Sequence, residues 1–399
     1  GLHMDVIVRK FNKNIVAVFL LYLVSLLLGL YKINYGLPSS YSPDEPVLVL
    51  PALRIVSYLM EGSVVLSMFD TGDFIYGAVP VYILAIPVFC LRFMINVTQV
   101  GEWLHPFVIV RSSSVFITSL IAVPIYYMSL DLFRNVKISF ILSLILLTGW
   151  PLIHYAHFVN ADIYLLLFLT TTFYFFLNYI STKSISHLVL AGIFLGLSIG
   201  TKISAIMLLP VFVCFLSSKS LKVFIHDGAV LMIVIIATFF LSNPFTLIEL
   251  DEAATRYLEI REREASIVYT SVDFSATKYI SALIALVSPP IFLLFCLNIF
   301  VLLACKRADK RFMFLYSVAL VTVVVYTLIP RRVDRWVLYL CPILYLGAMH
   351  ALLHIKSLSV RVITVVAFLL FHLSFSFSIL YQLSSPKPRA LAFAYYQKS

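Results

Sequence analysis

Two adjacent carboxylates, Asp44 and Glu45, lie between two prolines shortly after the first long apolar run of the chain. A carboxylate in this position can act as a general base toward a hydroxyl or an amine, or can orient it. Residues 43–46 also suit the start of a helix, with Asp44 as the N-cap. The acid pair is therefore either the beginning of a helix or a catalytic site, and we expect a catalytic site.

Three arginines form a basic cluster, RRVDR, near the other end of the chain: Arg331, Arg332 and Arg335. Guanidinium groups bind phosphate through charge-assisted and often bidentate hydrogen bonds. The cluster can hold a departing lipid phosphate, and anchoring to anionic headgroups is the alternative. Sugar transfer from a polyprenyl phosphate requires both a carboxylate that activates the acceptor and cations that stabilise the phosphate leaving group.

The composition indicates the surroundings in which these groups work. Of the 399 residues, 62% are hydrophobic and only 12% are charged. The mean hydropathy of +1.02 exceeds that of soluble domains, so the sequence predicts an all-α polytopic membrane protein. The net charge of +10 does not indicate a nucleic-acid partner, because the basic residues cluster in short gaps between apolar runs. The five cysteines have no metal-ligand spacing and are expected in the core.

Eleven apolar segments are predicted to be transmembrane helices, the shortest of them extended by flanking residues or held inside the bundle. They are residues 15–33, 107–130, 138–155, 163–180, 188–200, 203–216, 229–241, 279–304, 312–329, 336–354 and 362–381. The Lys- and Arg-rich gaps all fall on one side if the chain starts inside. We therefore expect a cytoplasmic N-terminus and an external C-terminus.

The apolar stretch 79–95 is the exception to this pattern. It contains Pro80, Pro87 and Arg92, which weaken a regular lipid-facing helix, and counting it as a span would invert every later basic gap. We expect it to lie in the outer interface or to be re-entrant. The transmembrane domain is then 4–381, after what resembles a cloning remnant, with a first external loop at 34–106, a second at 243–278 and a short external tail at 382–399.

Several short motifs occur in a particular order along residues 15–381: SPDEP, FIYGAVPVYIL, VRSSS, HFVNAD, GTKISAIMLLP and SNPF. This order resembles membrane glycosyltransferases of the GT-C fold, in the branch of the protein O-mannosyltransferases and the lipid A aminoarabinose transferases. The resemblance implies a GT-C-like bundle of about eleven transmembrane helices with external juxtamembrane helices in the first large loop. GAVPVY replaces the HPP element of many members, and no complete soluble C-terminal domain is expected after the last span.

The resemblance also implies roles for individual residues. The catalytic carboxylate would be Asp44, with Glu45 beside it. Asp73 matches a second acid of the family's site, and Asp70 is the other candidate for this position. The structural alternative is that Asp73 lies in a solvated turn. The other matched positions imply substrate binding by Tyr76, Arg111, His157, Asp162 and Lys202. Each of the last four also has a structural alternative. Arg111 could snorkel from the end of its span, and His157 could be a hydrogen-bonded interfacial histidine. Asp162 could cap the following helix, and Lys202 could be an interfacial lysine. Whether Asp44, Asp73 and His157 hold a divalent metal ion is left open by the sequence.

These observations predict a lipid-carrier-dependent glycosyltransferase, expected in the plasma membrane of a prokaryote rather than in the endoplasmic reticulum. It would move a monosaccharide, with inversion, from a polyprenyl- or dolichyl-phosphate donor to a protein, lipid or glycan acceptor at the external face. The alternative is a multi-span transporter or flippase for a lipid or small molecule. We disfavour it because nearly all ionisable residues lie at the ends of the predicted spans.

Overall fold

A computed structural model describes residues 2–37, 44–62, 71, 76–91, 106–216, 220–266, 276–304, 309–327 and 334–384. In these ranges the regular structure is helical, and one isolated antiparallel bridge joins Tyr76 to Lys202. The predicted all-α fold class is confirmed for this part of the chain.

The α-helices are α1 (Leu2–Leu30), α2 (Glu45–Met60), α3 (Val79–Cys90), α4 (Pro106–Thr118), α5 (Ala122–Phe133), α6 (Val136–Leu147), α7 (Trp150–Ala156), α8 (Ala161–Thr182), α9 (Ile185–Thr201), α10 (Leu209–Cys214), α11 (Leu221–Ser242), α12 (Pro244–Ile248), α13 (Leu250–Ser266), α14 (Ala276–Val287), α15 (Pro289–Ala304), α16 (Lys310–Thr327), α17 (Cys341–His354) and α18 (Leu358–Ser384). Three 3₁₀ helices cover Ser119–Ile121, Ile203–Leu208 and Asp334–Leu340.

Seven helical stretches of the described chain are long and apolar enough to cross a membrane, or up to nine if each of two bent pairs is counted as one span. The predicted segments 188–200 and 203–216 correspond to shorter apolar helices, Ile185–Thr201 and Ile203–Cys214. The described part of each of the eleven predicted segments is therefore mainly helical. The predicted number of eleven spans is not confirmed.

Two of the predicted spans are bent helix pairs. The segment predicted at 279–304 bends by 115° between Tyr279–Val287 and Pro289–Phe300. Ser288 has a φ of 79° and precedes Pro289, a position at which the α-helical conformation is disfavoured. The segment predicted at 138–155 bends by 53°, where Thr148 and Gly149 separate α6 from α7.

Helix α3 covers most of the stretch predicted to lie in the interface. Its 12 residues give a length of about 18 Å, well short of the roughly 30 Å of hydrocarbon that a span must cross. The helix packs against α2 and α4. Residues 92–95 lie outside the described residues, so the interfacial placement stays a prediction.

Helix α8 forms the centre of the bundle. Most of its residues are buried, whereas α1, α11 and α18 are largely exposed on the outside of the bundle. It packs against α9, α5 and the 3₁₀ helix Asp334–Leu340. Because α8 is surrounded by protein, polar groups at its first turn can meet side chains from distant parts of the chain.

Candidate active site

Asp44 immediately precedes α2, as the helix-start interpretation predicts. Its side chain makes no capping hydrogen bond to the helix, although an aspartate in this position usually accepts one from the second or third helical N–H. The carboxylate instead faces Arg335, whose guanidinium nitrogen lies 2.5 Å from Asp44 Oδ2. The helix-start interpretation is thus confirmed for the backbone, whereas the catalytic role of the side chain stays a prediction.

Asp162 lies in the first turn of α8 without capping it. The cap is Asn160, whose side chain accepts a hydrogen bond from the N–H of Ile163 at 3.0 Å. The helix-cap alternative therefore does not account for Asp162. Its carboxylate is free to point into the bundle, and a negative charge is favourable at a helix N-terminus.

Four charged side chains form one network around Asp162, which we call the outer network: Asp44, Asp162, Lys202 and Arg335. Lys202 Nζ lies 2.6 Å from Asp162 Oδ1 in a well-formed hydrogen bond. Arg335 Nε lies 3.1 Å from Asp162 Oδ2. The network holds two carboxylates and two cations, so its charges balance.

The contacts of Arg335 differ in quality from that of Lys202. Asp44 Oδ2, Asp162 Oδ2 and Arg335 Nε are buried atoms without a hydrogen-bond partner of acceptable angle. Their distances nevertheless satisfy an ion pair. Since hydrogen bonds weaken steeply away from linearity, the contacts of Arg335 with Asp44 and Asp162 are charge attraction rather than well-aligned hydrogen bonds.

Aromatic rings border the outer network. The Tyr76 hydroxyl hydrogen-bonds to Asp44. Burial raises the pKa of the Tyr76 hydroxyl, and the charges of Asp44 and Asp162 raise this pKa further, whereas Arg335 opposes the shift. Tyr76 is therefore a neutral donor. Lys202 Nζ lies 5.9 Å from the centre of the Tyr76 ring and 5.3 Å from that of Trp336, distances at which a cation is attracted to the ring face.

A backbone junction positions Tyr76 and Lys202. The Gly77 N–H donates to the carbonyl of Thr201 at 3.1 Å, next to the Tyr76–Lys202 bridge. A Cβ on Gly77 would lie 1.7 Å from the carbonyl oxygen of Gly200, so only glycine permits this approach. Asn243 joins the same junction, because its Oδ1 accepts a hydrogen bond from the Ala78 N–H at 2.6 Å. The motifs FIYGAVPVYIL, GTKISAIMLLP and SNPF meet at this junction.

Glu45 belongs to a second network, although it follows Asp44 directly. Arg111 donates from Nε and Nη2 to the two Glu45 oxygens at 2.7 and 2.8 Å. The Val159 N–H also donates to Glu45, at 3.1 Å. Both side chains of the ion pair are fully buried, which fits neither a snorkelling arginine nor a residue open to substrate.

Arg111 extends this second network to the end of α1. Its Nη1 donates to the carbonyl oxygens of Ile33 and Tyr35 at 3.0 and 2.8 Å. The guanidinium also lies 5.2 Å from the centre of the Phe158 ring. The Glu45–Arg111 pair therefore joins the chain next to Asp44 to the segment that leads into α8. This geometry supports positioning of the outer network rather than direct contact with substrate.

His157 lies between two carbonyl groups, as the interfacial-histidine alternative predicts. Its ring nitrogens are 2.5 Å from the carbonyl oxygens of Ile153 and Tyr31. Burial lowers the pKa of this imidazole, the two carbonyls oppose the shift, and Arg111 lowers the pKa further. The ring is therefore neutral, and a neutral ring can donate to only one of the two carbonyls.

The metal site that the sequence leaves open does not fit the described residues. His157 has carbonyl oxygens at both nitrogens and lies in a different network from Asp44, whose carboxylate faces Arg335. No group of three His, Cys, Asp or Glu side chains with metal-binding geometry occurs among the described residues. Asp73, its rival Asp70, Arg331 and Arg332 lie outside the described residues.

Trp336 is a member of the site that sequence reasoning missed. It follows Arg335 in the 3₁₀ helix Asp334–Leu340, and its ring faces both Lys202 and Tyr326. Its position next to the arginine cluster was the available signal. An aromatic residue at the end of a predicted span is more often an interfacial anchor, so this signal was weak.

Comparisons with known proteins give a fold and a family likeness. A family model described as dolichyl-phosphate-mannose-protein mannosyltransferase matches residues 91–251, a range that includes Asp162 and Lys202 but neither Asp44 nor Arg335. No curated protein matches the chain with significance.

Two crystal structures of ArnT from Cupriavidus metallidurans are similar to the chain, one bound to undecaprenyl phosphate and one in the apo state. Their TM-scores are 0.58 and 0.57, with sequence identities of 16% and 14%. The chain has the GT-C fold. The alignments cover 86% and 85% of this chain and 60% of each ArnT chain, so the chain spans about three fifths of the length of ArnT.

Proposed function

We propose that the chain is a glycosyltransferase that moves a monosaccharide from a polyprenyl- or dolichyl-phosphate donor to an acceptor at the external face of the membrane. The observation that carries this proposal is the contact between Asp44 and Arg335. It joins the carboxylate of the first predicted external loop to the basic cluster of a late one. The family model, which describes mannosyl transfer from dolichyl phosphate, and ArnT bound to undecaprenyl phosphate support the same class of donor.

The outer network supplies the groups that this reaction needs. Asp44 accepts the proton of the acceptor hydroxyl or amine as that atom forms a bond to the anomeric carbon. The bond between the anomeric carbon and the phosphate oxygen breaks, and its electron pair leaves with the lipid phosphate. Arg335 and Lys202 stabilise the charge that the phosphate gains. One displacement at the anomeric carbon inverts its configuration, and no covalent enzyme intermediate forms.

Residues outside the described part of the chain complete the proposal. Arg331 and Arg332 precede Arg335 by only a few positions and would add to the phosphate-binding charge. The transporter alternative is not favoured, because the family model describes a transferase. The four charges of the outer network also pair with one another at one end of α8 rather than along a path through the bundle.

A donor assay with an Asp44→Asn variant tests the proposal. Transfer from a polyprenyl-phosphate sugar should fall by about 10²-fold or more, the usual scale for the loss of a general base. Asp251→Asn is the matched control, since Asp251 is an exposed residue on α13 and its loss should leave transfer unchanged. The assay measures sugar release from a panel of polyprenyl-phosphate sugars by the purified, folded proteins. Near-normal transfer by Asp44→Asn would remove Asp44 from the mechanism.

A further inference from the structure

The charge balance of the outer network has a consequence for donor binding. Its two cations, Lys202 and Arg335, are each within ion-pair distance of a carboxylate. A phosphate that binds to either cation brings a further negative charge into a site that is already neutral. Like charges at short range repel, and the cost rises where water is excluded. Among the described residues, a lipid phosphate that uses either cation must therefore compete with a carboxylate for it.

Geometry distinguishes the two cations. Lys202 makes a well-formed 2.6 Å hydrogen bond to Asp162, and its side chain is 9% exposed. Arg335 contacts both Asp44 and Asp162 without an acceptable hydrogen-bond angle, and its side chain is 22% exposed. Arg335 is thus the more accessible cation, and its contacts are the less well aligned. It is the group that a phosphate can recruit at the lower cost.

We propose that Arg335 is an exchangeable counter-ion, which holds Asp44 in the substrate-free protein and transfers to the donor phosphate when the donor binds. This exchange rests on the proposed function and adds an order of events to it. Asp44 becomes free to accept a proton only after a phosphate has taken the guanidinium. Tyr76, which hydrogen-bonds to Asp44, keeps the carboxylate in place while Arg335 moves. Donor binding therefore precedes activation of the acceptor.

The exchange predicts that removal of the carboxylate strengthens binding of a lipid phosphate. Asp44→Asn should bind undecaprenyl phosphate about 5- to 20-fold more tightly than wild type, because Arg335 is no longer engaged by a charged partner. The measurement is equilibrium binding of undecaprenyl phosphate in detergent micelles, with undecaprenol and inorganic phosphate as separate arms. Undecaprenol reports the contribution of the lipid tail, and inorganic phosphate that of the anion alone.

A double-mutant cycle separates exchange from simple charge repulsion. If Asp44 acts through Arg335, the gain in affinity disappears when Asp44→Asn is made in an Arg335→Gln background. If Asp44 merely repels the phosphate, the gain persists in that background, and the exchange is overturned. Arg256→Gln is the matched control, because Arg256 forms exposed ion pairs on α13 and should not change either affinity.

The wild-type protein offers a readout that does not depend on the folding of any variant. A carbodiimide modifies carboxyl groups, and a carboxylate that no longer pairs with a guanidinium is less shielded from the reagent. Undecaprenyl phosphate should therefore increase modification of Asp44, measured by peptide mass spectrometry. Unchanged or reduced modification at saturating undecaprenyl phosphate contradicts the exchange alone. Absence of any binding beyond that of undecaprenol contradicts the proposed donor as well.

Discussion

At the scale of single residues, Asp44 and Glu45 show that neighbours in sequence can serve different networks. Successive side chains at the start of a helix point about 100° apart. Asp44 consequently faces Arg335, and Glu45 faces Arg111. The sequence identified the acid pair but could not assign the two faces, because that assignment depends on which helix packs on each side. The geometry gives the two acids separate tasks.

Loss of either partner in the Glu45–Arg111 pair should destabilise the protein. Glu45→Gln and Arg111→Gln each leave an uncompensated charge in a fully buried site, at a cost of about 3–5 kcal/mol. Glu259→Gln is the matched control, since Glu259 pairs with Arg256 on an exposed helix face, where an ion pair contributes about 0–1 kcal/mol. Thermal unfolding in detergent measures these changes.

Transfer by the folded fraction gives a further comparison for this pair. A positioning role predicts that Glu45→Gln loses less activity per folded molecule than Asp44→Asn. If Glu45→Gln unfolds at the wild-type temperature but abolishes transfer, Glu45 acts in the reaction itself.

At the scale of elements, the junction between the segment before α3 and the end of α9 carries the site. Tyr76 and Lys202 are held as a backbone pair, and both point into the outer network from it. Helix α8 contributes Asp162 from its first turn. Three elements that are distant in sequence thus converge, and none of them could form the network alone.

Gly77→Ala should disrupt this junction. The new Cβ would overlap the Gly200 carbonyl at 1.7 Å, so the pair must separate and Lys202 must move. Displacement of a catalytic group by about 1 Å can reduce the rate about 10²-fold, and we expect a loss of that order in donor assays. Gly228→Ala is the control, because the nearest atom to its new Cβ is 3.6 Å away. Wild-type activity in Gly77→Ala would show that the junction does not position Lys202.

At the scale of the whole molecule, the predicted topology places the site on one face of the membrane. Stretch 79–95 is expected not to cross, so cysteines introduced at Ser40 and Thr98 should both react with an impermeant thiol reagent from outside. The background should lack the five native cysteines, because the expectation that they lie in the core is wrong for Cys90, Cys214 and Cys296, which are exposed on the outside of the helices. Labelling of Thr98→Cys from the cytoplasmic side alone would overturn this topology and the shared external site.

The sequence predicted the helices of this molecule better than their bends and contacts. Long apolar runs indicate helices because a bilayer leaves few other solutions for the backbone, and the described part of each of the eleven predicted segments is mainly helical. The 115° bend after Ser288 was not predicted, although the two prolines that follow were visible. The pairing of Asp44 with Arg335 could be proposed from chemistry, but its geometry depends on packing that no local pattern encodes.

The contacts that anchor the first large loop determine where the chain can be lengthened at low cost. Within this loop, the interval between Glu45 and Gly77 is fixed at one end where Glu45 binds Arg111 and at the other where Gly77 meets Thr201. Closing a longer loop between fixed ends costs only about 0.6 kcal/mol for each doubling of its length. Residues inserted after Gly62 therefore add little strain at either end. The two anchored ends therefore keep the distance between Asp44 and Tyr76 when the interval between them changes in length.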